Sequence, residues 1–367
     1  MQLEPLSMWH RWKTRAGGRP AESVARSATY YDFIDGLRAL AALAIVAFHV
    51  APLRVPGGFV GVDIFFVISG FLITGQIFSA LDRGEFSLID FFARRIRRLY
   101  PALLVMVVVT TIFASVLLLP YELEDYAWSV LSSLAYVSNI DFLLQTGYFG
   151  SDVDTIPLLH TWSLSVEEQF YLAFPLICLL LAGLARRGRI VGLLLVVAVS
   201  LAASELLLAE EYTSAAFYLS PFRAWEFAIG GLVAIAPVPK LRRWLREALT
   251  LACLALLLSS PLWMSPTFRF PGIGALPIVL ATATLIALSR DENGLAKQLL
   301  SLSPLRAVGR ASYSIYLWHW PIVAFYIIAI NQAPEMTDRL IMLGLSLGGH
   351  PHADIEATLD GFAGDPG

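Results

Sequence analysis

The chain has 367 residues, 57% of them hydrophobic and only 15% charged, with a formal net charge of −3. A soluble domain is closer to a quarter charged, so a soluble two-domain enzyme is excluded. The charge balance leaves no nucleic-acid footprint, and no nucleic-acid motif is present. Apolar residues fall in runs near the roughly 20 residues that a spanning helix needs. The fold class expected is an all-α integral membrane protein with about ten transmembrane helices.

Residues 1–30 contain no apolar run and carry Arg11, Lys13, Arg15, Arg19 and Arg26. They read as a cytoplasmic basic tail without a cleavable signal peptide. Candidate spans follow at 34–53, 59–79, 100–119, 164–183, 190–209, 217–236, 248–264, 273–289 and 312–332, and a tenth begins near Arg339. Cys178 and Cys253 lie inside such runs and read as free, buried, apolar residues.

The run 127–144 is ambiguous, because Ser129, Ser132, Ser133, Ser138, Asn139 and Asp141 make it polar for lipid. The positive-inside rule resolves it. If it does not cross, Arg83, Arg94, Arg95, Arg97, Arg98, Arg186, Arg187, Arg189, Lys240, Arg242, Arg243, Arg246, Lys297, Arg306 and Arg310 all fall inside. The acidic loops at 122–125, 152–154 and 210–211 then fall outside. The stretch 127–144 is therefore expected as an outer-face or re-entrant helix. Residues 31–335 form the membrane domain. Residues 336–367 read as an incomplete last helix and a polar, disordered tail, whose His350 and His352 are not taken as metal ligands.

Ionisable groups at membrane depth are default functional candidates. Arg38 and His49 lie eleven residues apart on the first span, which returns to within about 20° of one face after a rise of about 16 Å. Arg38 also suits an interfacial anchor and His49 a satisfied core histidine. Asp63, early in the second span, is expected at the depth of His49. There a carboxylate would fix the imidazole tautomer, or make a structural ion pair. The RRIRRLYP stretch, 94–101, suits anionic lipid or the phosphates of a nucleotide-bearing donor.

In HTWSLSVEEQFY, 160–171, helical spacing puts Glu168 and Tyr171 on one face and Glu167 on another. His160, Trp162 and these carboxylates suit a sugar site; the alternative is an acidic helix start. Arg223 and Glu226, at i and i+3, read first as an ion pair. His319, in SYSIYLWHWP at 312–321, is as much packing as function. Ser69 lacks an evident base at its depth.

These stretches together resemble the acyltransferase-3 family of integral membrane O-acyltransferases. YDFIDGLRALAALAIVAFHV (31–50), GGFVGVDIFFVISGFLITGQI (57–77), RRIRRLYP, HTWSLSVEEQFY, FRAWEFAIGG (222–231) and SYSIYLWHWP stand in the family's order. The family's Arg/Lys, ten residues, His pattern falls on Arg38 and His49, and its arginine-rich stretch on Arg94, Arg95, Arg98 and Pro101. The resemblance implies an acyl-CoA donor, usually acetyl-CoA, reached from the cytoplasm of a bacterial inner membrane. It implies a hydroxyl on an extracytoplasmic glycan, such as lipopolysaccharide or exopolysaccharide, as acceptor, and His49 as the residue most implicated in transfer. No metal is implied.

On this reading His49, oriented by Asp63, acts as general base or as a covalent acyl carrier, with Glu167 among the catalytic groups. Arg38, Arg94, Arg95 and Arg98 hold the donor. His160, Trp162, Glu168, Arg223 and Glu226 hold the acceptor. The end of the chain departs from the family, which completes the last core helix and often adds a further span and a hydrolase-like domain. Truncation or a frame change is the expected cause. A proton-coupled transporter, a glycan-binding scaffold and an inactive fragment are the rival classes.

Overall fold

The computed structural model describes residues 31–145, 153–265, 267–290, 292–330 and 335–348. Regular structure among them is helical throughout: α1 (Asp32–Val50), α2 (Gly61–Asp82), α3 (Leu88–Leu117), α4 (Pro120–Leu134), α5 (Ser138–Gln145), α6 (Thr161–Ala182), α7 (Arg186–Ala209), α8 (Thr213–Tyr218), α9 (Ala224–Ile235), α10 (Arg243–Trp263), α11 (Leu276–Arg290), α12 (Leu295–Leu300), α13 (Ser303–Arg310), α14 (Ser312–Ile330) and α15 (Met336–Gly348). Short 3-10 turns lead into α2 and α11. Among the described residues eight helices are long and apolar enough to span a bilayer: α1, α2, α3, α6, α7, α10, α11 and α14. The chain is thus a multi-pass α-helical membrane protein.

One expected span departs from a single helix, and the run 127–144, expected not to cross, is itself broken. The run 217–236 is not one helix. It is α8, a 3-10 turn and the 12-residue α9, because Leu219 takes extended backbone ahead of Pro221. The run 127–144 is α4 and α5, broken where Tyr136 takes φ 54. Neither has the length of a span. Arg189, at the start of α7, pairs with Asp82, at the end of α2, at 2.8 Å. Those two ends therefore lie on one side. Only two of the intervening elements, α3 and α6, are long enough to cross, so α4 and α5 leave the sidedness unchanged. Arg186 likewise reaches the Ile235 carbonyl at 2.6 Å, Arg290 the Ala236 carbonyl at 3.3 Å, and Arg306 pairs with Asp32 at 2.5 Å. This is the basic end of the bundle. α15, 13 residues long, packs on α14 and α1; the tail beyond it and the basic tail 1–30 lie outside the described residues.

Burial separates centre from rim. In the apolar window of α1, 61% is buried, against 17% in α7. Val199 and Leu206 on α7, and Leu258 and Leu262 on α10, face outward, as lipid contact favours. At the centre α2 and α9 pack at backbone distance. A Cβ on Gly70 would stand 1.9 Å from the Phe227 carbonyl oxygen, and one on Gly230 2.0 Å from that of Val67. Apolar helices gain little from each other in lipid unless small residues let the backbones close. Glycine supplies that approach here.

Candidate active site

Two chambers are stacked inside this core. The wide one, about 140 Å³, is lined by Arg38, Arg95 and Arg98, by Glu167 and Glu168, and by Ser69, Gln76 and Tyr171 among others. The narrow one, about 20 Å³, is lined by His49, His160 and Arg223 within a wall of Phe59, Trp162, Phe217, Phe270 and Trp320. Val62 and Tyr316 line both. The Tyr316 hydroxyl is held by Ser163 at 2.5 Å and by the His160 carbonyl at 3.0 Å.

α1 carries one residue into each chamber. Arg38 donates from Nε to Ser312 Oγ at 3.1 Å. His49, in the last turn, lines the narrow chamber. Its partner is not the expected one. His49 Nδ1 lies 3.1 Å from Nε2 of His319. Asp63 instead accepts from Arg223 Nη2 at 2.9 Å. The reason is depth. Gly61 packs against the Ala41 carbonyl and Ile45, so in this antiparallel pair Asp63, two residues further on, lies near the level of Ala39, about 15 Å along the axis from His49.

Arg223 also holds Glu226 at 2.8 Å, and all three side chains are fully buried. The i, i+3 pair read from sequence is therefore the core of a triad. Arg223 Nη1 has no hydrogen-bond partner, while the residue lines the narrow chamber. Glu226 stands behind it and lines neither chamber.

Glu167 and Glu168 share the wide chamber rather than dividing between two environments. Glu167 accepts from Tyr171, one turn on, and from Ser69 of α2. The Ser69 hydroxyl, which showed no base in the sequence, thus has a carboxylate partner supplied from α6. Arg95 lays its guanidinium over the Tyr171 ring, 3.2 Å from the centroid. Arg98 is exposed where it lines the chamber; Arg94 is exposed and outside the lining. Ser87 caps α3 by accepting from Asp90 N at 3.3 Å, and this helix carries the arginines.

His160 and Trp162 both reach the narrow chamber, Trp162 packed on Phe217 with centroids 4.5 Å apart. The His160 ring lies edge-on to His319 with centroids 5.7 Å apart, and neither of its nitrogens has a hydrogen-bond partner among the described residues. The residue that sequence reading left undecided is His319. Its one signal was Pro321, which removes a helical donor beside it.

Buried imidazoles beside a cavity lined by arginines and glutamates, inside a bundle of apolar helices, mark the candidate site of a multi-pass membrane protein. Comparison with known proteins gives the family. An acyltransferase-domain family model matches residues 31–349, and the chain belongs to that acyltransferase-3 family. It is an acyltransferase for groups other than aminoacyl groups. BcsY of Komagataeibacter xylinus, whose name describes a membrane-bound transacylase, is 37% identical over 84% of this chain and 78% of its own length. The peptidoglycan O-acetyltransferase OatA of Listeria monocytogenes is 34% identical over 81% of this chain. The O-acetyltransferase OatA of Staphylococcus aureus is 31% identical over 82%. The chain spans about half the length of both OatA proteins, 50% and 51%. No solved structure matches it significantly.

Proposed function

We propose that this chain carries an acyl group, with acetyl the first choice, from an acyl-CoA thioester to a hydroxyl of an extracytoplasmic glycan. The donor enters at the basic end, which the positive-inside rule places in the cytoplasm. The wide chamber suits a slender arm, with Arg38, Arg95 and Arg98 beside it for the phosphates. The observation that carries this reading is the shared wall. A thioester advanced past Val62 and Tyr316 leaves a chamber of arginines and meets an imidazole.

In the narrow chamber His49 takes the proton of the acceptor hydroxyl as its oxygen attacks the thioester carbonyl. The C–S bond breaks, the proton passes to the departing thiolate, and an ester and free CoA thiol result. The unpartnered Arg223 Nη1 is a donor for the oxyanion formed on the way. The relatives' names, a transacylase and two O-acetyltransferases, agree with the chemistry; a glycan acceptor is the choice that peptidoglycan in one of those names supports.

The test is direct. Cells expressing the chain, or its His49→Ala variant at equal membrane abundance, are compared by mass spectrometry of surface glycans and by incorporation from [14C]acetyl-CoA in vesicles. Acyl ester with the wild type alone is the expected outcome. Equal labelling by both rejects the reading, and label retained on the His49 ring would select a covalent carrier over a base.

A further inference from the structure

His319 stands on α14, its side chain fully buried. Its Nδ1 lies 2.7 Å from the carbonyl oxygen of Tyr316. A carbonyl oxygen only accepts, so Nδ1 of His319 carries a proton. Across the chamber wall its Nε2 lies 3.1 Å from Nδ1 of His49, and one of those two nitrogens must supply the hydrogen between them.

Charge decides which. Were it Nε2 of His319, that ring would be an imidazolium. No carboxylate lines the narrow chamber, and Asp63 and Glu226 behind its wall are already taken up by Arg223, the one charged group in the lining. An unpaired cation buried beside another is strongly disfavoured. With both rings neutral the hydrogen belongs to Nδ1 of His49. The remaining nitrogen, Nε2 of His49, is then a bare lone pair.

We propose that His319 is the positioning residue of the acyl transfer: anchored on the Tyr316 carbonyl, it accepts from His49 Nδ1 and so presents His49 Nε2 as the base. It occupies the place that Asp63 holds in a reading from sequence, but as a neutral acceptor. The same bond carries the load after proton abstraction, because the new charge on His49 is shared through Nδ1 with His319 Nε2. Tyr316, which supplies the anchoring carbonyl from its backbone, also walls both chambers with its ring. The orientation of the base is thereby tied to the passage through which the thioester arrives. This inference rests on His49 as the base.

The experiment uses the full chain in nanodiscs with 15N-labelled imidazoles, and long-range 1H–15N correlation to separate protonated from bare ring nitrogens. His49 signals are assigned by their loss in His49→Gln. The wild type is expected to show His49 protonated at Nδ1 and bare at Nε2. His319→Phe should mix the two tautomers, because the acceptor 3.1 Å from His49 Nδ1 is then gone. His319→Gln, whose amide oxygen can accept in place of Nε2, should keep the wild-type pattern.

In vesicles supplied with [14C]acetyl-CoA, His319→Phe should lower kcat about 10²-fold with KM for acetyl-CoA unchanged, and His319→Gln should restore much of it. A wild-type His49 protonated at Nε2, an unmixed tautomer in His319→Phe, or an equal loss in Phe and Gln variants of unchanged melting temperature would each overturn the proposal. Retained transfer by His49→Ala would instead sink the general-base reading, while the tautomer measurement still answers for His319.

Discussion

The wide and narrow chambers share two side chains and differ in almost everything else. One is lined by three arginines and two glutamates, the other by imidazoles, aromatic rings and one arginine. Volume separates them as sharply, about 140 Å³ against about 20 Å³. A space near 20 Å³ holds little more than one water-sized group. On the proposed function, the wide chamber receives the donor and the narrow one keeps water from the reacting hydroxyl. Low local polarity there strengthens each directed hydrogen bond.

The contrast can be broken from either side. The largest effect should come from His49→Ala, which leaves the narrow chamber without its base. Transfer should fall about 10³-fold in the vesicle assay while KM for acetyl-CoA holds. Arg223→Met should act on stability. It leaves Asp63 and Glu226 buried without their cation, a loss of about 3–5 kcal/mol, read as a lowered melting temperature in detergent. Asp63→Asn should cost less, because Glu226 remains to pair with Arg223.

The wall between the chambers is the third target. Val62→Trp thickens the wall that the proposed donor must pass and should lower kcat about tenfold to a hundredfold, the scale of a 1–3 kcal/mol overpacking penalty, with donor binding intact. A Val62→Trp variant that transfers normally would separate the chambers as functional partners. Arg98→Ala should raise KM for acetyl-CoA about tenfold and spare kcat, since a phosphate contact made equally in ground and transition states is uniform binding. Ser69→Ala should be the mildest, within about threefold, because Tyr171 still donates to Glu167. A large loss there would move chemistry into the wide chamber.

Much of the architecture is legible in the one-dimensional pattern. Apolar runs of bilayer length mark α1, α2, α3, α6, α7, α10, α11 and α14, since lipid tolerates only backbone that bonds within its own helix. The sidedness of 127–144 follows from arginines 40 or more residues away, and the Arg189–Asp82 pair meets that expectation. The break at Leu219–Arg223 is harder to see. A short apolar helix such as α9 has the hydropathy of half a span, and its neighbour α8 supplies enough apolar residues to hide the turn.

Within the site, residues on one helix were readable and residues between helices were not. Arg38 and His49 share a face of α1 by helical geometry alone, and Arg223 with Glu226 by i, i+3 spacing. The Asp63–His49 pairing failed because hairpin depth was counted from the loop, while the approach of Gly61 to Ala41 seats α2 deeper. Glu167 joins Ser69 across 98 positions, and His49 joins His319 across 270. No local period reports contacts of that range.

The amino-acid order by itself determined that this protein crosses a membrane, which end is basic, and which few ionisable residues must be accounted for, because burying charge in lipid is costly enough to leave a mark in any sequence. Which of those residues meet was decided only by the packing of α1, α2, α6, α9 and α14. Hydrogen bonds form over about 3 Å, and the depth at which α2 lies on α1 takes Asp63 to Arg223 and leaves His49 to His319 of α14.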